Sequence, residues 1–385
     1  MRGYLEILRS PAGLLILASG VARFAWGVEG LALVFHVQEA ADSYTAAGLA
    51  VAALAVPSAV LAPWRGLLVD RHGRSAMLAL ALSAAALVLA IALTPAVGPS
   101  ALSYIALAGL TGVVAPPFTA WTRAALAARL QGEALRSAYT VDNIFEESAF
   151  VVGPLLAGIV IAVATPGAAL VVAACLIIFG GVTLSTGRLG REWTPLRRDH
   201  SESARGSLNR RLALAFACMA GVGAGIGLFE VAVAAFADAQ GSKGSAGLVF
   251  AALSIGGILG ALAYGARSWP GSTSRQYAAL LAILGAGLAL LALPAGIAAL
   301  SAVAAIAGLA FTPVFIANSL LIEEFSPGGP GAVSFTWVTV AMNGGLAAGA
   351  AICGGLVEGH GTDPAFLVAG AVVLVSAAAA LLLEP

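Results

Sequence analysis

Ionisable residues inside long apolar runs are the groups best placed to do chemistry in this chain. A charge set in hydrocarbon costs about 2.5 to 3.5 kcal/mol on insertion scales, so such a group faces a watery cavity or a partner. Three glutamates meet that description: Glu29, Glu147 and Glu230. A carboxyl that alternates between water and apolar surroundings can load a proton on one side of a barrier and release it on the other. Proton coupling is therefore the chemistry expected of these three. Glu29 shares a helical face with His36, seven residues on, whereas Arg23, six residues before it, does not and needs a partner from another helix. Asp142 and Glu146, four apart, share a face with Ala149 and Gly153, and Asn143 and Glu147 lie on the neighbouring one. Carboxylates so crowded cannot all stay ionised cheaply. Either one of them carries a proton, or Asp142 and Glu146 are held by Arg123 and Arg129.

Arg23, Trp26, Phe150, Phe229 and Asn343 are expected to line a cavity with the glutamates, with Phe24, Phe145, Phe311 and Phe315 as further apolar candidates. A cavity holding three glutamates and one arginine favours neutral or cationic solutes over anions. Nothing points to catalysis: His36, His72, His200 and His360 are scattered, with no nucleophile and base or paired ligands at a useful spacing. Cys175, Cys218 and Cys353 fall singly in different apolar runs, which suits buried small hydrophobes and neither a disulfide nor a metal site. No cofactor is expected.

The elements that must position these residues are membrane helices. With 60% hydrophobic and 10% charged residues over 385 positions, and a mean hydropathy of +0.97, the composition is that of an all-α polytopic membrane protein. The formal charge of zero leaves no footprint for nucleic acid. Apolar runs bounded by Gly, Pro or charge predict twelve helices, at 13–37, 44–64, 75–94, 100–122, 137–164, 167–187, 211–237, 244–266, 276–294, 297–321, 332–357 and 364–383. Only Leu293-Pro294-Ala295-Gly296 can make the turn between the ninth and tenth. Met1–Ser10 has no convincing cleavage site and runs directly into a full span.

Nearly all the arginines fall on one side of this arrangement, and Glu39, Asp42, Asp238, Glu358 and Asp363 fall on the other with the sole lysine, Lys243. The positive-inside bias then puts both termini in the cytoplasm, as expected of an inner-membrane protein. A polar stretch, 188–210, separates an N-terminal set of six helices (1–187) from a C-terminal set (211–385). The halves repeat. Ala47-Gly48-Leu49 recurs as Ala246-Gly247-Leu248 and Ala108-Gly109-Leu110 as Ala307-Gly308-Leu309, both at an offset of 199. Glu29 matches Glu230 at 201, and Glu147 matches Asn343 at 196.

Two motifs add a resemblance. Gly66, Asp70, Arg71, Gly73 and Arg74, between the second and third helices, resemble the loop signature of the major facilitator superfamily, with Ser75 where a second basic residue is usual. Gly153-Pro154-Leu155-Leu156-Ala157-Gly158 is similar to the fifth-helix motif of that family's drug-proton antiporters, with Ala157 replacing one glycine. The resemblance implies twelve transmembrane helices in two pseudo-symmetric bundles, a monomer in a lipid bilayer, and a midplane site where Glu29 faces Glu230. It also implies export of a small amphipathic molecule driven by a proton gradient, or else uptake or facilitated movement of a sugar, amino acid or other metabolite. A gate follows from it too: Asp70 on the start of the eleventh helix near Gly331–Ser334, with Arg74 and Arg123 beside it. The fourth helix departs from the antiporter pattern, since no arginine lies between Leu107 and Ala120. Arg23 is the substitute expected for that fixed charge.

Overall fold

A computed structural model of the chain describes residues 10–94, 100–186, 210–266, 269–325 and 332–384. Among these residues every regular element is helical: α1 Pro11–Ala41, α2 Tyr44–Val60, α3 Ala62–His72, α4 Arg74–Leu93, α5 Ala101–Val114, α6 Phe118–Ala127 and α7 Gly132–Val163 in the first half, with α8 Pro166–Thr186 closing it. The second half holds α9 Arg210–Ala239, α10 Ala246–Gly265, α11 Thr273–Leu290, α12 Ile297–Phe325, α13 Ala332–His360 and α14 Thr362–Ala380. Ten spans among the described residues are long and apolar enough to cross a membrane, one of them α5 with α6. Another crossing is α2 with α3, bent by 53°. The 18-residue α11, with its polar first turn, completes the twelve of the repeat. The predicted linker lies almost wholly outside the described residues.

The sequence repeat is a packing repeat. In the first half α1 packs on α7 and α8, α2 on α5, and α4 on α8. In the second half the counterparts do the same: α9 packs on α13 and α14, α10 on α12, and α11 on α14. Glycines let these backbones touch. A Cβ on Gly112 would strike the Leu54 carbonyl, and one on Gly308 the carbonyl of Leu253, which is the repeat partner of Leu54. Dispersion between closely approaching backbones is what holds such helices together where lipid is as apolar as the side chains.

The loop signature, placed between two helices by sequence, is itself largely helical. The chain stays helical through α3, and only Gly73, at φ 60°, makes the reversal. Gly66 sits inside α3, and a Cβ there would meet nothing within 4 Å, so it serves no close approach. Arg65, one of the arginines that mark the positive side, is buried. Pro116 and Pro117 break the fourth span, and because they carry no N–H the Gly112 and Val113 carbonyls four residues earlier lose their helical donors. The Arg65 guanidinium donates to both, at 3.3 Å for Val113, and also to the Ser58 carbonyl beside the α2/α3 bend. One side chain thus caps two helix breaks. Arg65→Leu should leave the Val113 and Ser58 carbonyls without this donor and Gly112 with only Ser58 Oγ at 3.4 Å, and destabilise the protein by about 3 kcal/mol. Arg65→Lys, lacking the guanidinium fork, should recover only part of it, as read by thermal unfolding of the purified protein.

Candidate functional site

Arg23, Arg123, Asp142 and Glu146 form one charge cluster on three helices of the first half. Arg23, on α1, has no exposed surface; its Nη2 donates to Asp142 Oδ1 on α7, and its Nε to the Ser19 carbonyl at 3.3 Å. Asp142 is also fully buried and takes a second bond on Oδ2 from Arg123 Nε of α6, at 3.0 Å. Arg123, 39% exposed, donates through Nη2 to Glu146 Oε2 at 2.5 Å, and Arg23 Nη1 lies 3.7 Å from that same oxygen. Two guanidiniums and two carboxylates therefore neutralise one another. Of the two readings open for Asp142 and Glu146, the geometry matches charge partnership with Arg123, and Arg23 finds there the partner from another helix that its spacing demands. Arg23 is accordingly not a cavity-lining residue. Arg123 is engaged by α7 here, and its own helix, α6, packs against the α3 helix of Asp70.

The glutamates are placed differently. Glu29 on α1 is buried and Glu230 on α9 half-buried, and neither has a hydrogen bond or ion pair among the described residues. Glu147 lies in α7, but its side chain is outside the described residues. Of the expected apolar lining, Trp26 and Phe150 keep exposed rings. Phe229 does not: it is fully buried, edge-on to Phe250 with ring centroids 5.3 Å apart, and is a packing residue. Phe145 likewise fills the space over Gly20. Asn343 is half-buried and donates to the Thr339 carbonyl of its own helix at 2.9 Å. Asp70, Arg71 and Arg74 sit around the α3/α4 reversal, while Gly331 and the side chains of 332–336, where Asp70 is expected to dock, are outside the described residues.

The fifth-span motif works at two interfaces. Gly153 abuts Gly27 and the Phe24 carbonyl of α1, and Gly158 abuts the Gly244 carbonyl of the other half. Pro154 frees the carbonyl of Phe150, and Ser254 Oγ of α10 donates to it at 3.0 Å across the halves. Ser254 goes unnoticed in the sequence. Its signal is there, though, since a proline in a span obliges some donor to reach the carbonyl four residues back.

Other contacts between the halves gather at the acidic face. Lys243 Nζ lies 2.7 Å from Glu39 and 3.4 Å from both Gln38 and Asp238, and 5.7 Å from the centre of the Phe35 ring. The Tyr44 hydroxyl donates to Asp238 at 2.7 Å. Glu358, at the end of α13, accepts from Ser43 Oγ, the Thr45 N–H and Thr45 Oγ1 at the start of α2, at 2.8, 3.0 and 2.6 Å. A cleft of about 410 Å³ opens beside Lys243, lined by Glu39, Asp238, Thr165 and Gly244. Among the described residues, the hydrogen bonds and ion pairs between the halves run from mid-depth to this face, with none toward the arginine-rich face.

Two pseudo-symmetric helical halves, closed against each other at one face around intramembrane carboxylates, define a multi-pass membrane transporter. The chain belongs to the Major Facilitator Superfamily, whose description matches residues 15–336. Among solved structures it is similar to the nucleoside transporter NupG, at a TM-score of 0.73 and 14% identity over 97% of this chain and 99% of that one. It is also similar to a bacterial homologue of the iron transporter ferroportin in its inward-facing state, at 0.74 and 13% over 97% and 98%. A third is the human organic anion transporter MFSD10 (TETRAN), at 0.60 and 18% over 96% and 98%. No curated protein sequence matches. At such identities the likeness concerns the fold, and the family assignment makes the protein a secondary transporter.

The charge cluster predicts an asymmetry between its members. Asp142→Asn strips Arg23 of its short-range partner inside the protein and should cost about 3 to 5 kcal/mol. Arg23→Met leaves Asp142 bonded to Arg123 and should cost less. Denaturation of the two purified variants orders them, and an equal loss would contradict the pairing described.

Proposed function

We propose that the protein exports a small amphipathic organic molecule, neutral or cationic, in exchange for protons, by alternating access in the cytoplasmic membrane with both termini inside the cell. The observation that carries this reading is the contrast between two sets of intramembrane charges. Arg23 and Arg123 are neutralised by Asp142 and Glu146, whereas Glu29 and Glu230, on repeat-related helices, have no fixed countercharge among the described residues. A carboxyl left in that position must bind a proton or a cation whenever it is cut off from water. A protonated form and a solute-bound form that exclude each other are all that exchange requires.

If the arginine-rich face is cytoplasmic, closure at the acidic face corresponds to an inward-facing conformation. The likeness to a ferroportin homologue in that state supports this assignment. Arg23 is neutralised by Asp142, so among the described residues it offers no free cation to a solute, in keeping with a neutral or cationic cargo. The fifth-span motif, with Pro154 at the interface of the halves, supports export over import.

The experiment uses proteoliposomes loaded with amphipathic cations and neutral compounds chosen by thermal shift. A pH gradient should drive transport uphill in the parent protein. Glu29→Gln, and Glu230→Gln or Glu147→Gln after it, should abolish that gradient-driven component while leaving solute exchange at equal pH measurable. Full proton-driven transport in all three variants would rule out coupling by these carboxyls. Transport of a sugar, amino acid or nucleoside down its own gradient, insensitive to pH, would establish facilitated movement instead.

A further inference from the structure

Two contacts fix the face of α1 that carries Glu29. Ala22, seven residues before it, meets α8, since a Cβ on Gly180 would strike the Ala22 Cβ. His36, seven residues after it, meets α8 again, with Cε1 and Nδ1 3.5 Å from where a Cβ on Gly167 would stand. Seven residues is close to two helical turns, so Glu29 lies on the same face between these contacts, in the seam between α1 and α8. The register of this antiparallel pair sets it opposite Ala173 and Ala174, both fully buried and neither able to pair with a carboxyl. Glu29 thus opens on the interior of the first half rather than on the junction of the halves. It keeps 7% of its surface accessible, so the seam is not sealed around it.

From the acidic face this seam leads past an imidazole. His36 stands about a turn and a half before the end of α1, half-buried. Its Nε2 lies 2.9 Å from the Ile91 carbonyl of α4, and its ring is edge-on to Tyr104 of α5 with centroids 5.8 Å apart. A carbonyl only accepts, so Nε2 carries the hydrogen, and Nδ1 keeps its lone pair on the side of Gly167 with no partner among the described residues. No carboxylate, ammonium or guanidinium lies on α5, on α8, or on α4 beyond Arg74. The nearby charge is Glu39 of α1, which Lys243 holds at 2.7 Å, and the Tyr104 hydroxyl donates to the Thr94 carbonyl at 3.3 Å. His36 is therefore the base that a proton entering here meets before Glu29.

We propose that His36 is the entry relay for Glu29: it takes a proton from the acidic face on Nδ1 and passes it down the α1/α8 seam to the carboxylate. This rests on the proton-coupled reading of Glu29 and adds the path. The imidazole becomes doubly protonated when the proton arrives, with Nε2–H still held by Ile91. It returns to neutral when Nδ1 gives that proton up, so one proton moves and nothing else changes. The two groups are about 10 Å apart along the helix, a gap that one or two waters among the small residues of the seam bridge. Gly167 belongs to the path as well, because any side chain there sits against Nδ1.

The test follows the protonated-carboxyl band of Glu29 by infrared difference spectroscopy after a pH jump, on the full protein in lipid nanodiscs, with Glu29→Gln identifying the band. His36→Gln, which can still donate to the Ile91 carbonyl, should slow the change by about tenfold or more and leave its amplitude intact. Gly167→Ala, which keeps the imidazole and sets a methyl beside Nδ1, should slow it by less. Unchanged kinetics in His36→Gln, with or without a lower melting temperature, would reduce His36 to a tie between α1 and α4 and overturn the proposal. The absence of any Glu29-dependent band would overturn it too. If Glu29→Gln keeps full gradient-driven transport while His36→Gln still slows the band, the path stands and only the coupling reading falls.

Discussion

No backbone carbonyl can be left bare in hydrocarbon, and this constraint governs how the chain is allowed to bend. Each break in a span creates an orphan acceptor, and two residues show the two ways of filling it. Arg65 caps carbonyls at the α2/α3 bend and at the Pro116-Pro117 break, both within the first half, so it ties two pliable points into one unit. Ser254 caps the carbonyl freed by Pro154, but it reaches it from the second half. The first bond can persist while the halves move, and the second must break when α7 and α10 part. The Phe150 carbonyl is then free for water or for a solute. The same requirement thus ties together two bends of the first half and leaves a bond across the seam that separation must break.

Charge is handled by a similar division. Arg23 and Asp142 have no exposed surface, and such a pair survives because Arg123 and Glu146 complete its bonds. The cluster joins α1, α6 and α7 and is electrically closed. What it withholds matters as much as what it holds, since no arginine in it is left over to neutralise Glu29. The described intramembrane charges separate into a set that is mutually satisfied and a pair, Glu29 and Glu230, with no partner among the described residues.

Much of this was legible in the sequence. Length and punctuation located all twelve spans, and the turn at Leu293–Gly296 falls where only proline and glycine allow it. The constant offset between repeats anticipated the packing, down to the repeat-related carbonyls of Leu54 and Leu253 each meeting a glycine of the neighbouring helix, although Gly112 and Gly308 are not themselves repeat partners. Spacing alone showed that Arg23 needed a partner from another helix, though not that the partner would be Asp142. What could not be read was which polar groups would meet across helices. Arg65 looked like a topology charge because its acceptors are carbonyls, which carry no residue signature. Phe229 looked like a cavity aromatic because an all-round apolar helix has no phase that marks a cavity side. Gly66 matched a motif by type, yet the chain stays helical there and turns only at Gly73.

The closure at the acidic face has the character that a reversible seal requires. Lys243 with Glu39 and Asp238, Tyr44 with Asp238, and Glu358 with Ser43 and Thr45 are all partly exposed polar contacts. Each group regains water when the seal opens, so the net cost of breaking each bond is small. Beneath them the halves meet through glycine and alanine backbones, as at Gly48 with Ala350 and Gly158 with Gly244, which present little apolar area to be wetted on separation. Large side chains locked across this seam would have made one state far more stable than the other. Small residues below and solvated polar pairs above keep the cost of parting the halves low, so that a modest difference in binding energy between the two states is enough to choose between them.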